Sequence, residues 1–305
     1  MKKIIAITGL HGTIGKKIFD SLNEDFKKEY LFVDLFHSNE NNFFDKSIHL
    51  QKEKFDLFDT KEIVNTLKKI NPTHIIHMAA ITHIDKCQED AGLKKKSRSW
   101  IINVSATEEI VKYCQIAHAH LIFISTECVF DGESNKKYLE ESPTNPKNWY
   151  GYTKSEAEKI ITNSSIDWTI IRGVIAYDIS QEVETIFSAI KKSFMRKKEF
   201  FVVSDQKFTP SYIPDIHKTI WEVVKNKHTG IFHVTPKKSL TPYQFAIDIG
   251  KYFSYDLSLV KKQKMKDYFG LEKAKLRLKN ATLSSIYSSK VLKIVPKTIV
   301  QVLEK

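Results

Sequence analysis

The sequence predicts an α/β fold: a Rossmann-type doubly wound parallel sheet with a smaller, interleaved C-terminal substrate lobe. Three observations predict it. Short β-branched apolar runs alternate with segments of helical period over residues 1–170. The first run, Lys3 to Thr8, passes directly into Gly9-x-x-Gly12-x-x-Gly15. Small or polar residues follow the runs at Gly9, Asp34, Ala79-Ala80 and Thr126, and in such a sheet ligands lie beyond the carboxyl ends of the strands.

Each element has its own signature. Lys3 to Thr8 is continuously apolar, as a strand buried on both faces requires. Lys16 to Leu22 has helical period, so strand, glycine loop and helix follow in the order of a phosphate cradle. Gly9 is placed to turn tightly, Gly12 to let backbone approach a pyrophosphate, and Gly15 to let helix and strand pack closely; Thr13 and Ile14 complete the loop. A second strand, Tyr30 to Val33, ends at Asp34. An acidic residue at this distance from the loop accepts hydrogen bonds from ribose hydroxyls and repels a 2′-phosphate. Asp34 therefore favours NAD(H), with NADP(H) possible; the first cation after it, Lys46, is distant in sequence. Residues 37–54 read as polar and turn-like. Thr60 to Ile70 reads as a helix capped at Asp59 or Thr60 and stopped by Asn71-Pro72. Thr73 to Met78 is the next strand, residues 99–118 a long helix with Asn103 near its start, and Leu121 to Ile124 a strand ending at Ser125-Thr126. After a polar loop, Tyr150 opens a helix to about Asn163, and Trp168 to Arg172 is a further strand. Beyond it the pattern loosens: a helix from Ile216 to Lys225, a strand from Gly230 to Val234, a helix opened by Thr241-Pro242, and a mixed tail over 254–305. The expected division is residues 1–172 for the dinucleotide-binding domain and 173–305 mainly for the substrate lobe, with segments returning to the first domain.

Composition narrows the function classes. With 305 residues the chain is long enough for a large core. The net charge of +12 comes from scattered lysines, a solvated surface rather than a basic stripe with interleaved aromatics, so no nucleic-acid partner is expected. Cys87, Cys114 and Cys128 lack metal-ligand spacing and fit a reducing compartment; no metal is expected. The apolar start Ile4-Ile5-Ala6-Ile7 is too short for a signal peptide, and no run approaches the ~20 apolar residues of a membrane helix. A cytoplasmic protein with no membrane partner is the expectation.

The chemistry-bearing pattern is Tyr150-x-x-x-Lys154. Four residues apart on a helix, the two side chains share a face. An ammonium beside a phenol favours its ionised form, drawing its pKa down from about 10. A phenol so tuned passes a proton to or from a reacting oxygen, and Thr126 offers a hydroxyl to hold that oxygen. His11 and His77 read as packing residues.

Taken together, Gly9-x-x-Gly12-x-x-Gly15, Thr126 and Tyr150-x-x-x-Lys154 resemble the extended short-chain dehydrogenase/reductases. Ser125-Thr126-Glu127-Cys128-Val129-Phe130-Asp131-Gly132 is similar to the S-T-D-Y-V-F-D-G segment of the dTDP-4-dehydrorhamnose reductase branch, and Tyr150 to Glu158 to its Y-G-x-S-K-x-x-x-E segment. Phe208 to Asp215 and Gly230 to Val234 resemble its substrate-lobe segments. The resemblance implies reduction of a 4-keto nucleotide sugar for surface polysaccharide synthesis. Tyr150 would then be the general acid, Lys154 would hold the nicotinamide ribose, and Thr126 would bond the carbonyl. Gly9, Gly12 and Gly15 would carry the pyrophosphate. Asp34, Asp56 and Leu57 would address the adenosine end, and Ala79 and Ala80 would line the cofactor path. Glu127 and Cys128 depart from the branch's Asp and Tyr beside the reacting centre and are candidate substrate contacts. Arg172 is a third, placed with Arg277 to meet a nucleotide diphosphate, a structural role being the alternative for both. The same residues serve an NAD-dependent epimerase, and the fold also carries non-catalytic subunits; both stay open at this stage. A homodimer is expected.

Overall fold

The computed structural model describes residues 2–37, 50–180 and 183–304. The chain forms two compact units, each assembled from three segments: Met1–Ser125, Trp149–Ile171 and His217–Ile231 in the first, Thr126–Asn148, Arg172–Ile216 and Phe232–Lys305 in the second.

Strands β1 (Lys3–Thr8), β2 (Tyr30–Phe36), β3 (Leu50–Lys54), β4 (His74–His77), β5 (His120–Thr126), β6 (Trp168–Gly173) and β9 (Gly230–His233) form one seven-stranded sheet in the order β3-β2-β1-β4-β5-β6-β9. The pairs from β3 to β5 are all parallel, in registers such as Ile5↔Phe32 and Ile5↔His74. The order reverses between β1 and β4, and a crevice opens at such a switch point. The doubly wound reading is thus observed. On one face, Ala6, Val33, Ile75, Leu121 and Ile170 pack with Ile63 and Leu67 from the helix Thr60–Ile70 and with Ile110 and Cys114 from the helix Ala106–Ala117. On the other, Phe19, Phe32 and Trp221 meet edge-on or stacked with centroids 5.1–6.2 Å apart.

In the second unit, β7 (Phe200–Val203) pairs with β10 (Val260–Gln263), and β8 (Lys207–Phe208) with β11 (Asn280–Ala281), both parallel. Helices Ile186–Met195 and Pro242–Tyr252 flank them. The second is capped as expected by Thr241, within a capping box closed by Gln244.

Several expectations are corrected. Lys16 to Leu22 is not an α-helix: only Ile18–Ser21 forms a 3₁₀ turn, because Lys17 adopts the left-handed conformation at φ 61° and stops propagation. The second strand does not end at Asp34 but runs to Phe36. Residues 50–54 are not turn-like: they pair with β2 as its edge partner. Residues 38–49, with Lys46, lie outside the described residues. The long helix over 99–118 is helical from Arg98 to Ala117 but is interrupted by one π turn, Ile101–Ser105.

Four buried histidines make stability sensitive to acid. Burial pushes His74 and His120 down to about 4 and His77 and His233 down to about 3. Between these values and the ordinary 6.5, the unfolded chain binds more protons than the folded one, so stability rises with pH. The contribution is complete above about pH 6.5 and is lost as pH falls toward 3–4, each histidine adding up to about 1.4 kcal/mol per pH unit. Glu127, raised to about 7 by burial, acts in the opposite sense: its contribution is present below 4.5 and lost as pH rises through 7. Burial also raises the Asp34 and Asp248 carboxyls, which act in the same sense as Glu127; with four histidines against these three, the urea midpoint is expected to be lower at pH 5 than at pH 7. An equal or higher midpoint at pH 5 would contradict neutral burial of these rings.

Candidate active site

The glycine loop sits at the switch point. Gly9 has φ +76°, and a Cβ on it would stand 2.6 Å from the Ala79 backbone nitrogen, so the ends of β1 and β4 meet with no side chain between them. Gly12 N donates to Gly9 O at 3.0 Å, and a Cβ on Gly15 would lie 2.4 Å from the carbonyl oxygens of both Gly9 and Leu10. The helix Ile213–Asn226 anchors the loop from behind: a ring nitrogen of His217 bonds Ile14 O at 2.6 Å, and the Trp221 indole donates to Ile18 O at 2.9 Å.

A cavity of about 320 Å³ lies against this loop. Five expected cofactor positions line it together: Gly9, Gly12, Asp56, Leu57 and Ala79. Thr13, Ile14, Gly15, Asp34, Ala80, Tyr150 and Lys154 are not in its wall. Sequence reading missed His37, Phe58 and Arg98 there; the Arg98 guanidinium stands 5.1 Å over the Phe58 ring. No spacing rule links Arg98 to the glycine loop, so only folding could reveal it.

Asp34 is fully buried, and its Oδ2 is bonded at 2.8 Å to Nε2 of His11, which does line the cavity. Burial raises the Asp34 pKa while His11 opposes that rise. Its Oδ1 is buried with no hydrogen-bond partner among the described residues. Two residues inside the strand end, the carboxylate is turned to the loop histidine rather than presented at the rim.

Tyr150 and Lys154 are both buried on the helix Trp149–Thr162. Lys154 Nζ donates to the Ile124 carbonyl at 2.7 Å and sits 3.6 Å from the Phe123 ring centroid. The carbonyl dipole and the ring face favour the ammonium, as does the Glu158 charge one turn on. Burial outweighs Glu158 and pulls Lys154 down to about 7. The group expected to tune a phenol is therefore itself tuned, and it exchanges protons near neutrality.

Asn103, named near the start of its helix but given no role by the sequence, is a positioning residue. In the π turn, its Oδ1 accepts from Ile81 N at 2.8 Å, and its amide nitrogen donates to Ile81 O at 3.0 Å and to Thr153 Oγ1 at 2.9 Å. Thr153 in turn donates to Tyr150 O at 2.8 Å. One buried amide thus ties the segment after β4 to the first turn of the tyrosine helix. A π turn is a frequent mark of a functional site; the available signal was an amide inside the apolar stretch Ile101-Ile102-Asn103-Val104. His77 is a buried hydrogen-bonding residue. Thr107 donates to Asn103 O at 2.9 Å, so it accepts from His77 Nε2 at 3.2 Å, and His77 Nδ1 accepts from Thr8 at 2.7 Å. This is the neutral Nε2–H tautomer.

Within the second unit, Thr126 Oγ1 donates to Glu127 Oε2 at 2.7 Å and accepts from Cys128 N at 3.2 Å, all three residues being buried. Arg172 is also buried: it donates to Glu140 O at 3.2 Å, approaches His233 Nε2 at 3.5 Å and lies 5.1 Å over the Phe130 ring. Those contacts hold its guanidinium within the second unit. Arg277 donates to Lys273 O at 2.8 Å and stacks 4.4 Å from the Phe269 ring centroid.

Residues 1–304 match the family described as the RmlD substrate binding domain. The chain belongs to this family. Its dTDP-4-dehydrorhamnose reductase-like character, first read from the Thr126 and Tyr150 segments, extends over the whole length. Among curated proteins, it is 29% identical over 205 residues to the spore coat polysaccharide biosynthesis protein SpsK of Bacillus subtilis, covering 66% of this chain and 69% of that one. It is 26% identical over 210 residues to the methionine adenosyltransferase 2 subunit beta of Bos taurus, covering 66% and 61%. Among solved structures, the dTDP-4-dehydrorhamnose reductase of Bacillus anthracis in complex with NADP shares the fold at TM-score 0.82 and 24% identity, over 100% of this chain and 98% of that one. Among the described residues, no helix is long and apolar enough to cross a membrane.

Proposed function

We propose that the chain is a cytoplasmic, homodimeric reductase of a 4-keto nucleotide sugar, NAD(P)-dependent and serving surface polysaccharide synthesis. The observation that carries this reading is the buried Tyr150 and Lys154 pair, one helical turn apart, in a chain whose family match runs from residue 1 to 304. The loop fits a dinucleotide: no side chain stands between Gly9 and Ala79, and Gly12 is exposed in the cavity wall. When bound, a nicotinamide cofactor supplies the hydride. Tyr150 gives the proton to the carbonyl oxygen, Lys154 holds the ribose and stabilises the phenolate left behind, and Thr126 bonds the same oxygen. Asp56 and Leu57 take the adenosine end. Because Asp34 is withdrawn toward His11 while Arg98 lines the cavity, its repulsion of a 2′-phosphate is weakened, and both NADH and NADPH serve.

The test is a panel of dTDP-, UDP- and GDP-linked 4-keto sugars, each with NADH and NADPH, followed at the nicotinamide absorbance band. Oxidation of free cofactor with one of them is expected. The likeness to a methionine adenosyltransferase subunit favours a second reading, a non-catalytic binding subunit. Cofactor binding without turnover on any sugar would support that reading instead.

A further inference from the structure

The Thr126 hydroxyl carries one hydrogen, and the fold directs it at Glu127 Oε2, 2.7 Å away. Its oxygen meanwhile accepts the Cys128 amide. With Glu127 ionised, the hydroxyl has no hydrogen left for a substrate carbonyl and turns only its remaining lone pair toward one. With Glu127 neutral, the bond reverses. The carboxyl donates to Oγ1, the Cys128 amide still donates to it, both lone pairs are used, and the single hydrogen is released to point elsewhere.

We propose that Glu127 is a positioning residue: its protonation turns the Thr126 hydroxyl from the carboxylate to the substrate carbonyl, so that the chain polarises a carbonyl only while Glu127 is neutral. This rests on the reading of Thr126 as the group that bonds the carbonyl. The proton comes from solvent, returns to it when Glu127 ionises, and no bond to carbon changes.

The surroundings suit the switch. Glu127 is 7% exposed, and burial lifts its carboxyl to about 7 against the opposing bonds from Thr126 and its own amide. No charged side chain contributes to its shift among the described residues. Its titratable neighbour is the Cys128 thiol, which burial and the Glu127 charge push upward, so it stays neutral through this range. Arg277 acts on Cys128, lowering its pKa, and is not among the groups acting on Glu127.

The direct test follows the carboxyl itself. In the full chain labelled with ¹³C at the glutamate carboxyl carbons, one resonance is expected to titrate near neutrality. It should vanish in Glu127→Gln and move to a higher midpoint in Thr126→Val, which removes a bond favouring the ionised form. A Glu127 that stays ionised down to pH 5, or a midpoint that Thr126→Val leaves in place, overturns the proposal. If Glu127→Gln does not fold, the resonance that moves in Thr126→Val makes the assignment. The kinetic arm uses the panel's 4-keto sugars. Glutamine mimics the neutral carboxyl at every pH, so the ratio of kcat/KM at pH 6 to that at pH 9 should fall at least tenfold in Glu127→Gln relative to parent, the limiting alkaline slope being smaller by one. An unchanged ratio, or loss of the rate at all pH values in a folded variant, also overturns the proposal. A parent chain that turns over no sugar counts against the reductase reading alone, and the carboxyl titration still decides the switch.

Discussion

Replacing Tyr150 with phenylalanine is expected to lower kcat by about 100- to 10,000-fold, the range that a positioned general acid supplies, equivalent to roughly 3–5 kcal/mol in the barrier. Only the hydroxyl is removed, from a side chain already buried on a helix that Asn103 and Thr153 hold in place, so the fold should survive. Cofactor affinity should change by less than about threefold, since the loop at Gly9 to Gly15 is untouched. Steady-state turnover and a fluorescence titration with NADPH separate the two quantities. Near-parental turnover would move the acid role to another residue and leave the subunit reading standing. The depressed Lys154 adds a sign. If the ammonium is the working form, the rate falls as pH rises through about 7, in the same direction as the Glu127 effect. The two are told apart because Glu127→Gln removes only one of the two protons.

Gly15→Ala is expected to be a strongly damaging single-methyl change in the chain's first unit. The added carbon would stand 2.4 Å from two backbone carbonyl oxygens of its own loop. Neither is the end of a flexible side chain, so the loop itself must open. Overpacking of this kind costs about 1–3 kcal/mol, and a reopened loop no longer presents its amides to a pyrophosphate. We expect a clear fall in Tm together with at least a hundredfold loss of cofactor affinity. Gly12→Ala provides the contrast. There the nearest atom beyond its chain neighbours is Gly9 O at 3.2 Å, and the methyl projects at the wall of the cavity. Its melting temperature should stay near parental while cofactor binding weakens. Equal behaviour of the two variants would show that the two glycines are not doing different jobs.

Most of the sheet was legible because buried parallel strands have to be apolar. The strand Lys3–Thr8 emerges with the bounds the sequence predicts, and so does the helix Thr60–Ile70, whose apolar positions follow the helical period. The helix after the glycine loop was not legible, since helical period in Lys16 to Leu22 cannot register that Lys17 takes a left-handed conformation. The π turn at Asn103 was hidden for a related reason. A single extra residue in a helical turn barely disturbs the pattern of apolar positions, while it redirects one amide into three hydrogen bonds.

Spacing and composition alone determined the parallel sheet, the glycine loop and the placing of Tyr150 and Lys154 on one face, because these depend on local period and on residues near in sequence. Folding decided what state each polar group is in. Asp34 is an acid with His11 as its partner, Lys154 a cation drawn toward neutrality by burial, Glu127 a buried carboxyl that accepts from the Thr126 hydroxyl, and Arg98 a wall of the cavity. The reason is electrostatic: a charge's cost is set by the water it loses and the dipoles it gains, and both come from neighbours that lie well away along the chain, as Ile124 does from Lys154.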